Sequence, residues 1–207
     1  MKGLILKDIL NLRKQFKTTL LVIGFFAIYA YGTNNPSYML AMVTLIFAMM
    51  PITAMGFDDM SKWDRYALAM PISRKSIVMS KYILSVCLSL LSILVSFFIT
   101  YIVILPRTDM TGNELLLIAY IIFSISLVFI AIVLPFIYKY GVERARIISI
   151  GIFALPTMIV LALYKIGFKL PSKDQLMLLL KISPILLSII VITSASVSYR
   201  IFKSKDI

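Results

Sequence analysis

Residues 18–57 read TTLLVIGFFAIYAYGTNNPSYMLAMVTLIFAMMPITAMGF and contain no Asp, Glu, Lys or Arg in 40 positions. A helix needs about 20 apolar residues to cross the hydrocarbon core of a bilayer. The segment 32–37, GTNNPS, lies near the middle of the stretch and is rich in turn-forming residues. The stretch therefore predicts two membrane spans joined by a short turn.

Four further segments are long and uncharged, which brings the expected number of spans to six. The last span is extended back past Lys181, because Ser172 and Gln175 have the spacing of a helix-capping box. The expected spans are 18–33, 38–57, 82–106, 115–138, 147–166 and 173–199. The predicted fold is an all-α polytopic membrane protein whose residues 1–207 form a single transmembrane domain.

The composition supports this class and excludes others. The chain is 61% hydrophobic and only 14% charged, whereas soluble domains are about 45–50% apolar and about 25% charged. A soluble enzyme, a disordered chain and a secreted disulfide scaffold are therefore excluded. The net charge of +12 is assigned to orientation of the spans and contact with anionic lipid head groups, and not to nucleic acid.

The distribution of basic residues predicts the orientation. Segments 1–17, 58–81, 139–146 and 200–207 hold 16 of the 21 Lys and Arg residues, and the opposite loops hold five. Because cytoplasmic loops are the basic ones, both termini are expected in the cytoplasm.

Residues 1–17 have the pattern of an amphipathic helix. Ile5, Ile9, Leu12 and Phe16 form one apolar stripe at helical spacing. A basic amphipathic helix before a span is expected to lie in the inner membrane interface. The alternative is a cytoplasmic extension of the first span that packs on protein.

Several motifs are absent from the sequence. It has no His, one Cys (Cys87) and no phosphate-binding GxxxxGK[ST] loop, which argues against a zinc site, a Ser-His-Asp triad and ATP binding by this chain. The uncharged central stretches of the spans contain no Asp or Glu, although carriers driven by ion gradients usually place one at mid-membrane. We therefore expect no catalytic, cofactor or metal site, and we expect any transport energy to come from a separate polypeptide.

The most informative loop is 57–82, FDDMSKWDRYALAMPISRKSIVMSKY. Trp63, Tyr66, Ala67 and Met70 recur at helical spacing and predict one apolar face of a short helix. Pro71 ends that helix, and Ser73 can cap the next. A helix resting on lipid is one interpretation, but the mixture of acidic and basic residues favours docking to a cytoplasmic protein.

The order of residues in this loop carries a resemblance to a known family. Two acids precede Lys62-Trp63, Tyr66, Met70-Pro71-Ile72-Ser73-Arg74, Ile77-Val78 and Lys81-Tyr82, and the chain opens with KGLILKD at 2–8. This pattern resembles the first cytoplasmic loop of ABC-2-type permeases, the membrane subunits of ATP-driven exporters. It is most similar to the short six-span branch that exports phenol-soluble modulins and related antimicrobial peptides.

The resemblance implies that the loop carries a coupling helix, which seats in a groove of a cytoplasmic ATPase subunit. Trp63, Tyr66 and Met70 would be the apolar anchors, and Pro71 and Ser73 would fix the angle to the third span. A charged rim would comprise Asp58, Asp59, Lys62 and Arg65. Arg74 and Lys75 would hold the end of the span at the interface or contact the ATPase.

The resemblance also implies the partners. Two ATPase subunits would carry the ATP and Mg²⁺, and a second permease copy would form a homodimer or a similar heterodimer. The cargo would be an amphipathic or hydrophobic peptide of toxin or antimicrobial type. Export of lipid or drug, and a non-transporting immunity or accessory role, are the alternatives.

Two smaller features complete the expectations. The second inner loop, with Glu143, Arg144 and Arg146, is either a further ATPase contact or an ordinary orienting loop. In the third span a row of small polar residues shares one face and is either a packing surface or a mildly polar translocation surface. That row is Ser85, Ser89, Ser92, Ser96 and Thr100.

Overall fold

The computed structural model describes residues 2–108, 110–165 and 173–205, and the regular elements within these ranges are all helical. The α helices are α1 (Lys2–Thr33), α2 (Pro36–Met60), α3 (Trp63–Ala69), α4 (Arg74–Ile99), α5 (Gly112–Tyr140), α6 (Val142–Lys165) and α7 (Lys173–Lys203). A π-helical turn, Thr100–Ile104, and a 3₁₀ turn, Leu105–Arg107, continue α4.

Five helical stretches in the described ranges are long and apolar enough to cross a membrane: Gln15–Thr33, Pro36–Met60, Arg74–Arg107, Gly112–Tyr140 and Leu180–Lys203. The prediction of an all-α polytopic membrane protein is therefore confirmed. The expected span 147–166 corresponds to α6, which is not among the five. The expected cap at Ser172 lies outside the described residues. The total of six spans therefore stays a prediction.

Local sequence explains where several helices begin. The side chain of Asn35 accepts a hydrogen bond from Ser37 N at 3.0 Å, and Pro36 takes the first position of α2, where no intrahelical N–H is needed. The start of α5 has a capping box, in which Thr111 and Glu114 satisfy each other's backbone N–H groups. That Thr-x-x-Glu spacing is visible in the sequence. It shows that the helix begins before residue 115, the predicted start of the fourth span.

The first helix has no break at residue 17. It runs continuously from Lys2 to Thr33, with Leu4, Asp8 and Leu12 buried against the rest of the protein. At this point the structure fits the second alternative, an extension of the first span that packs on protein, and not a separate helix.

The polar face of α4 is buried inside the chain. Each of its five members is 0% exposed, and three of their hydroxyls donate to carbonyl oxygens three or four residues back. Small residues allow close approach of helix backbones in a membrane. Burial within one chain therefore fits the packing interpretation of Ser85, Ser89, Ser92, Ser96 and Thr100.

Polar contacts bring the basic segments to one end of the bundle. Arg74 Nη1 donates to the carbonyl of Lys203 at 2.6 Å, which joins the start of α4 to the end of α7. About two turns further along α4, Tyr82 Oη is 2.6 Å from Ser194 Oγ and 2.8 Å from Ser198 Oγ. At the other ends of α1 and α4, the Arg107 guanidinium lies 4.0 Å from the Tyr31 ring centre.

Candidate docking surface

The short helix α3 forms as the loop sequence predicts. Its N-cap, Lys62, has a left-handed backbone with φ of 51°, and its C-cap, Met70, is extended before Pro71. The Ser73 side chain then accepts a hydrogen bond from Ser76 N at 3.2 Å and caps α4. The expected helix, proline stop and serine cap are confirmed.

The apolar residues in and next to α3 differ in exposure. Ala67 is 0% exposed, and the half-buried Trp63 packs against the same core cluster, which includes Leu4 and Val78. Tyr66 is 63% exposed and Met70 is 45% exposed. Trp63 therefore holds α3 on the protein, whereas Tyr66 and Met70 remain available to a partner.

Asp58 does not belong to an exposed charged rim. It is 7% exposed and takes part, with Lys7, Asp8 and Lys81, in what we call the charge cluster. Lys81 Nζ lies 2.8 Å from each carboxylate oxygen of Asp8 and 2.5 Å from Asp58 Oδ2. Because both of its oxygens are occupied inside the chain, Asp58 has a structural role.

Lys7 completes the cluster and extends it to α3. Its ammonium is 2.5 Å from Asp58 Oδ1 and 3.2 Å from Asp8 Oδ1, and it lies 4.3 Å from the Trp63 ring centre. The two lysine cations and the two aspartate anions of the cluster have no net charge together, which lowers the free-energy cost of burying them. The cluster ties together α1, α2, α3 and α4.

Sequence reasoning missed this cluster, although it contained a signal. Asp8 interrupts an apolar segment, and a buried acid requires a partner. From the sequence alone, Lys81 is interpreted only as a positive charge near the start of a span. The pairing joins residues 73 positions apart, so no local pattern identifies it.

The loop between α5 and α6 meets the end of α2, just before the turn that leads to α3. Asp59 Oδ2 accepts from Val142 N at 3.4 Å, which places a carboxylate at the N-terminus of α6, where the helix dipole favours negative charge. Gly141, with φ of 83°, makes the sharp connection from α5. Asp59 is thus also a structural link, and not only part of a rim.

An open groove of about 370 Å³ lies between the loops, lined in part by Met60, Tyr140, Glu143 and Arg144. Met60 is 84% exposed, and sequence reasoning did not single it out. The expected rim residues Lys62 and Arg65 are exposed, as are Pro71, Ser73, Lys75, Glu143, Arg144 and Arg146. Arg74 is half-buried and binds the end of α7. We call the exposed side chains of 60–75 and 140–146 the docking surface.

The composition of the docking surface is typical of a binding surface. Among the described residues, no group of three or more His, Cys, Asp or Glu side chains is arranged to hold a metal ion. Exposed Met and Tyr side chains surrounded by charges of both signs have the composition of a protein interface.

The comparison with known proteins agrees with this arrangement. Residues 3–203 match the family described as ABC-2 family transporter protein. No curated protein and no solved structure matches the chain. Since the match covers nearly the whole chain, from the start of α1 to the end of α7, the protein is a membrane-spanning member of the ABC-2 family of transporters.

Proposed function

We propose that this chain is the permease subunit of an ATP-driven exporter and that its docking surface binds a separate cytoplasmic ATPase. Two ATPase copies carry the ATP and Mg²⁺, and two permease chains, identical or similar, form the pathway. The complex lies in a bacterial plasma membrane with both termini of this chain in the cytoplasm. Its cargo is an amphipathic or hydrophobic peptide.

The observation that carries the proposal is the exposure of Tyr66 and Met70 on a helix that is fixed from behind. Trp63 and Ala67 anchor α3 in the core. An interface in which large side chains are already held in position loses less conformational freedom on binding. A coupling helix must be held firmly on its own protein in this way, because it can transmit force only if it keeps its position there.

The neighbouring loop supports a continuous contact area. The bond between Asp59 and Val142 N holds the second inner loop beside the end of α2, and the groove there presents Met60 between Glu143 and Arg144. A partner that seats on α3 would therefore meet both inner loops.

The cargo class is supported by a cavity of about 420 Å³ between α4, α5 and α7. Leu187 and Val191 of α7 line it, opposite Phe123 and Leu127 of α5, and Tyr120 and Ser188 provide the polar atoms. Apolar walls with few polar groups suit the hydrophobic side of an amphipathic peptide.

A pull-down tests the ATPase contact. Tagged chain is purified in detergent from its native cells, and a bound protein with a phosphate-loop ATPase sequence is identified by mass spectrometry. The double variant Tyr66→Ala, Met70→Ala should weaken its binding by roughly tenfold or more, because truncating two interface anchors costs at least about 1.4 kcal/mol.

The matched control is the double variant Tyr101→Ala, Met42→Ala, which removes the same residue types from exposed positions elsewhere. It should retain the ATPase. Equal retention by both variants would mean that α3 rests on lipid, and absence of an ATPase from the unmodified chain would refute the proposed function itself.

A further inference from the structure

Lys7 is the member of the charge cluster whose ammonium also lies over α3. It lies in α1, contacts Asp58 at the end of α2, and is 4.3 Å from the Trp63 ring centre. The side chain of Lys7 is 22% exposed, whereas those of Asp8, Asp58 and Lys81 are 1%, 8% and 6% exposed. Lys7 therefore occupies the outer edge of the cluster, where the cluster meets α3.

The chain connectivity leaves α1 without a covalent link to α3. Residues 61–62 connect α3 to α2, and residues 70–73 connect it to α4. Any displacement of α3 reaches those two helices through the backbone. Direct contact between α3 and α1 is made by Lys7, whose ammonium lies over Trp63, and by the core cluster that contains Leu4 and Ala67.

The contact that Lys7 makes is more directional than apolar packing. Its ammonium is held between carboxylates on one side and the face of an indole ring on the other, so a shift of Trp63 changes an electrostatic contact at the edge of a low-dielectric site. The Asp8 and Lys81 pairs fix α1 to α4 at the same level. The N-terminal segment of α1 is thus held from several directions.

From this geometry we infer that Lys7 is the positioning residue through which movement of the coupling helix α3 is transmitted to the span of α1. The inference rests on the proposed function and names α1 as the helix that receives the movement driven by the ATPase. The pair between Asp8 and Lys81 acts as a pivot: docking moves α3, Trp63 displaces Lys7, and the membrane-spanning part of α1 moves relative to α4 about that pair.

The test measures a distance between α1 and α4 and does not require a known cargo. Cys87 is the sole cysteine of the chain and is exposed on α4. Adding Leu21→Cys on α1, where the native side chain is 77% exposed, gives a pair of sites for nitroxide labels. The distance between the labels is measured in the reconstituted complex with the co-purifying ATPase, without nucleotide and with ATP and vanadate.

Three substitutions isolate Lys7. Lys7→Met retains the aliphatic stem and removes the charge, and Lys7→Arg retains both the charge and the contact with the ring. Lys17→Met makes the same charge change at an exposed position of the same helix that takes no part in the cluster. We expect the nucleotide-dependent distance shift in the parent, Lys7→Arg and Lys17→Met, and its loss in Lys7→Met, with the ATPase bound in all four.

Other outcomes overturn the inference without affecting the proposed function. A shift that survives Lys7→Met, an ATPase released by Lys7→Met, or a parent complex that binds ATPase but shows no shift would each exclude Lys7 as the transmitting residue. Failure of the parent to bind any ATPase refutes the proposed function instead.

A second variant keeps the test decisive if Lys7→Met does not fold. Lys7→Gln removes the charge and leaves Trp63 and the two ion pairs of Lys81 in place. The inference requires that this variant bind ATPase and lose the distance shift. A retained shift in Lys7→Gln would contradict it.

Discussion

At the residue scale, the largest departure from expectation concerns Asp58. Sequence resemblance placed it on an exposed rim with Asp59, Lys62 and Arg65, but the structure pairs it with Lys81 and Lys7 inside the bundle. Residue type and order alone do not distinguish a carboxylate that faces a partner from one that faces its own chain. The distinction depends on Asp8 and Lys81, which only tertiary packing brings to Asp58.

The cluster predicts a large effect of removing one buried cation. Lys81→Met leaves the carboxylates of Asp8 and Asp58 with Lys7 alone, and an uncompensated buried charge costs about 3–5 kcal/mol. We expect a clear loss of thermal stability in detergent, measured by the unfolding midpoint of the purified chain.

The exposed Lys75, in the first turn of α4, provides the comparison for that measurement. Lys75→Met should leave the unfolding midpoint nearly unchanged. Equal losses of stability in the two variants would contradict the prediction. They would show that the loss comes from removing any positive charge and not from breaking the cluster.

At the element scale, the short helix α3 shows which structural features the local sequence can predict. Pro71 and Ser73 determine where α3 stops and α4 starts, and both were predictable because proline geometry and serine capping act within a few residues. The difference in exposure among the apolar residues of α3 was not predictable. It depends on α1 and α4 packing against Trp63 and Ala67, which helical spacing alone does not encode.

The cavity beside α7 gives a prediction on cargo. Val191→Trp fills space between α5 and α7, and it should lower uptake of a fluorescent amphipathic helical peptide into inside-out vesicles. A tenfold lower rate corresponds to about 1.4 kcal/mol of lost transition-state or binding stabilisation.

The same substitution at Val197, which is 47% exposed on α7 and does not line the cavity, is the control. Its uptake rate should equal that of the parent. Reduced ATPase binding in Val191→Trp would show that the cavity supports the fold, and unaltered peptide uptake would exclude the cavity from the pathway.

At the scale of the whole molecule, composition and charge were sufficient to predict the class. An apolar chain of this length with charges confined between long uncharged segments has few soluble alternatives, and the membrane-spanning helices confirm that. Contacts such as Arg74 to the carbonyl of Lys203 place the basic segments at one end of the bundle. Which side of the bilayer that end faces remains a prediction from the excess of Lys and Arg.

Thiol labelling of intact cells tests the orientation. In a Cys87→Ser background, Asn113→Cys at the start of α5 should react with a membrane-impermeant maleimide, because the loop before α5 is expected outside. Lys75→Cys should react only after the cells are opened. The reverse pattern would place the docking surface outside the cell and exclude an ATPase partner.

The charge cluster also has a consequence for how the chain is made. Asp8 leaves the ribosome 73 residues before Lys81, a delay of roughly 4–15 s at about 5–20 residues per second. Within that interval the first two long helices are made, and Asp8 and Asp58 have Lys7 as a partner but still lack Lys81. The charge cluster is therefore complete only when translation has delivered the third long helix, α4.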